Sequence, residues 1–277
     1  MWCEPHPNQD GGVGRAGTQE CRTRGNWRVS LHEILLILLG AFTGGLVNGL
    51  TGFGTALVAL PFWIHIMPPP LAAQLAAAAG VMSQAQTLPA IWHAIEMRRV
   101  ARFILPGLAG VPVGVWLLPY VGIQTFKLGV GVLLVAYCGF LLFMMSRHAA
   151  LAFRPAPEQG PADAAVGFAG GVLGGLAGLS GPLPTIWATF KPWSKDLKRG
   201  LFQSFNVTIL SAMLVFSAVA GLMPSNIWLR LLIVLPGTVA GARAGLMIYR
   251  RLDDRRFDRL VLLLLFASGL SLIVGNI

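Results

Sequence analysis

Two glycine-rich stretches hold the residue types from which a binding site is built. The first reads Asn48-Gly49-Leu50-Thr51-Gly52-Phe53-Gly54-Thr55, and the second Gly178-Leu179-Ser180-Gly181-Pro182. Clustered glycine interrupts a helix. The half-helix that follows starts with free N–H groups at its positive dipole end, which favours an anion, and a backbone without Cβ lets that anion come close. Pro182 suits the first turn of such a half-helix. The spacing therefore predicts two anion cradles, one from Asn48, Thr51, Gly52, Gly54 and Thr55, the other from Gly178, Ser180 and Gly181. Glycine at these spacings also serves close helix packing through small-xxx-small faces, but packing alone leaves the amide and hydroxyl residues unexplained.

Other polar residues stand inside apolar stretches, where an unpaired amide is costly. Gln84, Gln86, Gln203 and Asn206 are the candidates for completing the binding path, with hydrogen bonding between helices as their competing use. Arg243 lies seven residues before Arg250, about 10 Å deeper at helical rise, where it either attracts an anion or snorkels to the interface. Gly178-Leu179-Ser180-Gly181 also fits the G-x-S-G pattern of an intramembrane serine protease. Its base would have to be His93 from the earlier half, because no histidine follows His148. No catalytic residue, metal site or cofactor is expected: the three cysteines, Cys3, Cys21 and Cys138, form neither a disulfide framework nor a metal-ligand spacing.

The elements that position these residues follow from composition. Of 277 residues 55% are hydrophobic and 12% charged, against roughly 25% charged in a soluble domain. Apolar stretches at 31–67, 70–93, 100–121, 124–146, 163–190, 200–222, 226–249 and 257–277 read as membrane segments. The basic excess, 21 Lys and Arg over 11 Asp and Glu, is dispersed among short loops. That distribution argues against nucleic acid and for insertion orientation and an anionic lipid surface.

Sliding the chain on itself by 126 residues lays Phe42–Thr55 on Phe168–Gly181, and Pro106-Gly107 and Phe126 find counterparts in Pro236-Gly237 and Phe257. The chain thus reads as a polar, disordered tail (1–30), a first repeat (31–147), a cytoplasmic linker (148–162) and a second repeat (163–277). Loop 250–259 carries five arginines, whereas its counterpart 121–125 carries no Lys or Arg. By the positive-inside rule the repeats are then inverted. Inversion needs an odd number of elements per repeat, met by a glycine-rich broken-helix hairpin plus three full helices. The expected fold is all-α and polytopic, and inverted-repeat transporters place their substrate at such breaks.

In its motifs the chain resembles the TauE/SafE sulfite exporter family, also called the toluenesulfonate uptake permease group. The likeness rests on Gly44-Gly45-x-x-Asn48-Gly49-x-x-Gly52-Phe53-Gly54 with Pro61, and on Gly170-Gly171-x-x-Gly174-Gly175-x-x-Gly178-Leu179-Ser180-Gly181-Pro182 with Trp187. Trp193, Arg199, Gln203 and Gly241-Ala242-Arg243 add to it. Thr55 stands where a third glycine is common in the family. The resemblance implies a multi-pass protein of the bacterial inner membrane that moves sulfite, sulfonates or related organic anions. The expected function is secondary transport of a small anion. The intramembrane serine hydrolase and a non-transporting membrane scaffold are the alternatives. The expected partners are the anion and the lipid bilayer, with a homo-oligomer left open.

Overall fold

A computed structural model describes residues 31–89, 92, 95–146, 161–189, 191, 193, 195–223, 227–249 and 270. The tail 1–30, most of the linker 148–162 and most of the final apolar stretch 257–277 lie outside the described residues. Every described element is helical: α1 (Leu31–Thr51), α2 (Thr55–Trp63), α3 (Pro69–Thr87), α4 (Met97–Leu117), α5 (Ile123–Ser146), α6 (Pro161–Ala177), α7 (Pro182–Thr189), α8 (Lys195–Val219) and α9 (Ile227–Tyr249). A 3-10 turn, Leu118–Tyr120, extends α4. Four spans among these residues are long and apolar enough to cross a membrane, Leu31–Thr51, Met97–Tyr120, Leu197–Val219 and Ile227–Ile248.

The glycine-rich stretches divide as their spacing requires. α1 ends because Gly52 takes φ 82°, with Gly54 at φ 96° before α2, and α6 ends at Gly178 with φ 68°. Such left-handed angles are open to glycine and closed to most L side chains. α2 folds back along α1, with Gly40 against Trp63 and Gly44 against Thr55 and Ala59. The Trp63 indole N–H donates to the Ile37 carbonyl at 3.3 Å and clamps the hairpin.

Other glycines of α1, α4, α6 and α9 make close crossings. Gly45 and Gly49 of α1 lie on the backbone of Thr238 and Ala242, and Gly241 and Gly245 of α9 lie on that of Phe42 and Leu46. Gly107, Gly110 and Gly114 of α4 meet Gly167, Gly171 and Gly175 of α6 in the same way. A methyl group at most of these positions would strike a backbone carbonyl, so the small residues allow helix axes to approach as in other membrane bundles. Residue numbers rise together in both pairs, so α1 runs parallel to α9 and α4 parallel to α6.

α3 occupies the middle of the bundle and is buried without interruption from Leu71 to Gly80. Its alanine-rich sequence fits a helix covered on all sides. It runs antiparallel to α8: Gln74 Nε2 donates to the Leu222 carbonyl beyond the end of α8, while Gly80 meets Leu210 further back along it. Trp63, Leu75, Phe103, Phe205, Ile209 and Leu210 are the bulky side chains at the centre.

Candidate functional site

The two breaks meet. A small cavity is lined by Phe53–Leu57 from the first break, by Gly178, Leu179, Gly181 and Pro182 from the second, and by Asn206 and Leu210 of α8. The Phe53 ring lies directly over Gly181, where a Cβ would collide with it. It also stands edge-on to Phe202 and Tyr137, at centroid distances of 5.8 and 6.4 Å. A side chain at 181 would have to displace that ring.

Around the first break the polar side chains hold its shape. Asn48 Nδ2 donates across the break to Thr55 Oγ1 at 2.7 Å. The Thr51 hydroxyl lies 2.9 Å from the Val47 carbonyl and 2.7 Å from that of Phe53, so it is engaged in the turn itself. Gln84 Nε2 donates to the Gly52 carbonyl at 3.1 Å, one of the freed groups at the end of α1. In the second break Ser180 Oγ donates to Asn206 Oδ1. Ser180, Asn48, Gln84 and Gln203 are fully buried, and Asn206 nearly so.

Of the residues selected from sequence, Gly54, Thr55, Gly178, Gly181 and Asn206 line the shared cavity, with Ser180 one hydrogen bond behind it. Asn48, Thr51 and Gln84 brace the first break. Gly52 and Gln203 face each other just outside the cavity lining. Arg243 is exposed on α9 and does not line the cavity, although its neighbour Ala242 packs on Gly49.

The first-turn amides of Thr55, Ala56 and Leu57 have no helical acceptor, because the α2 ladder begins with Val58 N–H to the Gly54 carbonyl. Gly54, the residue before α2, gives no side-chain cap to those amides. All three residues line the cavity. The corresponding turn of α7 contains Pro182 and Pro184, which have no N–H to offer. The two breaks thus bring different groups, backbone donors from the first and the Ser180–Asn206 pair beside the second.

Two features escaped sequence reading. Lys191, one of the basic residues dispersed among the loops in the sequence, is 3% exposed and pairs with Asp163 at 2.9 Å. The Asp163 carboxylate also accepts the Trp187 indole N–H at 2.7 Å, and Lys191 Nζ lies 5.1 Å from the Trp187 ring. Asp163 is the residue that the 126-residue shift lays on Ile37, so a carboxylate standing where the other repeat has isoleucine was the available signal. The second feature is Phe53 between the breaks, for which one sequence gives no sign.

The hydrolase alternative gains nothing from this geometry: the Ser180 hydroxyl donates to an amide oxygen, which is not a base. His65 is exposed beyond α2 with its ring nitrogen 2.6 Å from the Pro61 carbonyl, and His93 lies outside the described residues.

No curated protein and no solved structure matches the chain. The family described as sulfite exporter TauE/SafE matches residues 36–272, which include both hairpins, both breaks and the cavity they share. The chain therefore belongs to the TauE/SafE sulfite exporter family and is a multi-pass membrane protein of the transporter class that moves sulfur-containing anions.

Proposed function

We propose that the chain is a secondary transporter of the bacterial inner membrane that carries a small anion, sulfite, a sulfonate or a related organic acid, held between the two helix breaks. The observation that carries this reading is the shared cavity: segments 125 residues apart, from Gly54 to Leu179, line one space that combines first-turn amides with the Asn206 side chain. Among the described residues the acids Glu33, Glu96, Asp163 and Asp196 lie at or beside helix starts, and none lines that space. Donors without a nearby carboxylate favour an oxyanion over an amine or a metal cation.

Two inverted repeats supply the frame in this reading. α1 and α2 enter and leave on one side, and α3 and α4 then cross in turn, so α4 runs opposite to α1. α6 runs with α4, and α9 runs with α1, which is the arrangement that opposed repeats require. Alternating access then amounts to the repeats rocking about the fixed breaks. Cysteines at positions 125 and 254, in a background without native cysteine, should react from opposite membrane faces.

The functional test is flux in proteoliposomes of the purified chain, with labelled sulfite, sulfoacetate, taurine and acetate offered in turn. Saturable movement of a sulfur anion is expected. Movement of an organic cation with no anion carried would overturn the proposal.

A further inference from the structure

The cavity between the breaks leaves part of the buried polar chemistry unused. Gln203, on α8, is 0% exposed, and both its Nε2 and its Oε1 are without a hydrogen-bond partner among the described residues. Burying an amide that way is expensive unless something else satisfies it. Its Nε2 lies against the α-carbon of Gly52, where an added Cβ would stand 2.9 Å from it. One helical turn earlier on the same face, Arg199 packs its Cγ on the same glycine, 3.4 Å from that Cβ position. Gln84 holds the Gly52 carbonyl with its Nε2 and keeps its Oε1 buried without a partner. Amides of α3 and α8 and a guanidinium-bearing side chain therefore converge on Gly52, whose φ of 82° already requires glycine.

We propose that Arg199, Gln203 and Gln84 form a second subsite for a small sulfur oxyanion, distinct from the inter-break cavity and adjoining it at the basic end of α8. The Arg199 side chain supplies positive charge beside the sulfite or sulfonate group. The Gln203 amide N–H donates to one of its oxygens. The amide oxygens of Gln203 and Gln84 accept from the hydroxyl of a singly protonated oxyanion or from a water that travels with the ion. Phe53, the residue after Gly52, lines the cavity and packs its ring against Gly181 and Phe202. Movement of that one ring passes the anion from Arg199 and Gln203 to the first turn of α2.

This assignment rests on the transport reading, and its test separates the two. Initial rates of labelled sulfite uptake are measured in proteoliposomes for the full chain and for Arg199→Gln, Arg199→Lys, Gln203→Leu and Gln203→Asn. Loss of one charge-assisted hydrogen bond predicts an apparent KM about tenfold higher in Arg199→Gln and Gln203→Leu, with kcat within about twofold of the parent. Arg199→Lys, which keeps the charge, should recover most of that loss, and Gln203→Asn should fall between parent and Gln203→Leu. Should Arg199→Gln fail to fold, the two Gln203 variants decide the question by the same split. An unchanged KM in Gln203→Leu, or a fall in kcat at constant KM, would overturn the subsite and leave the transport reading intact. Absence of any sulfur-anion flux in the parent would instead remove the reading on which the subsite rests.

Discussion

The two hairpins close on the same kind of clamp and build it from different chemistry. In the first, the Trp63 indole donates to the Ile37 backbone carbonyl, a neutral hydrogen bond between apolar residues. In the second, at the position that the internal repeat lays on Ile37, Asp163 takes the Trp187 indole and a buried Lys191 as well. A neutral bond of the first kind contributes about 1 kcal/mol, and its loss leaves little behind. A buried ion pair contributes less net stability than its geometry suggests, yet losing one partner strands the other charge away from water. The breaks differ in the same sense. The first presents three unbonded amides to the cavity, whereas prolines remove donors from the second. The two hairpins thus follow a similar path with different chemistry, free backbone donors beside the first break and a buried ion pair in the second.

The largest effect expected from this comparison is on stability. Asp163→Asn or Lys191→Met should cost about 3–5 kcal/mol, because each leaves a single buried charge, while the double variant Asp163→Leu/Lys191→Met should recover most of that loss. Trp63→Phe in the first hairpin should cost only about 1 kcal/mol. Unfolding of the purified protein in detergent measures all four. Equal losses in the two hairpins would show that the clamps do not differ as described.

Next in size come the breaks themselves. Gly178→Leu and Gly52→Leu should abolish anion flux in vesicles while the protein still inserts, since each adds a side chain at a left-handed φ and the strain alone is about 1–2 kcal/mol. Wild-type flux in both would remove the breaks from the pathway. Smaller again is Ser180→Ala, which takes one donor from Asn206 and should weaken apparent affinity by about 1–2 kcal/mol without a change in insertion. A larger loss in Ser180→Ala than in Gly178→Leu would reverse the proposed order of backbone over hydroxyl.

The ends of α1 and α6 were legible in the sequence from clustered glycine with nearby hydroxyl residues, joined at the second by Pro182. The close crossings of α1 on α9 and of α4 on α6 use the small-xxx-small glycine spacing that also serves helix packing. The two roles fall to different glycines: Gly52, Gly54 and Gly178 turn the chain, and Gly45, Gly49, Gly171 and Gly175 admit a neighbouring helix. Contacts across the fold were not legible. Lys191 sits in a charged loop sequence, KPWSKDLKR, and only the fold brings it to Asp163 and two tryptophan rings. Arg199 reads as another loop cation until α8 is seen to bring it against Gly52.

The central claim is that one anion touches both breaks, and a double-mutant cycle on apparent affinity tests it most directly. Thr55→Val alters the first break and Asn206→Leu the wall beside the second, and both residues line the same cavity. Affinity for labelled sulfite is measured in the parent, the two single variants and the double variant. If one anion bridges the breaks, the two losses should fail to add by more than about 0.5 kcal/mol. Losses that add within that margin, each with folded protein and saturable flux, would contradict a shared site.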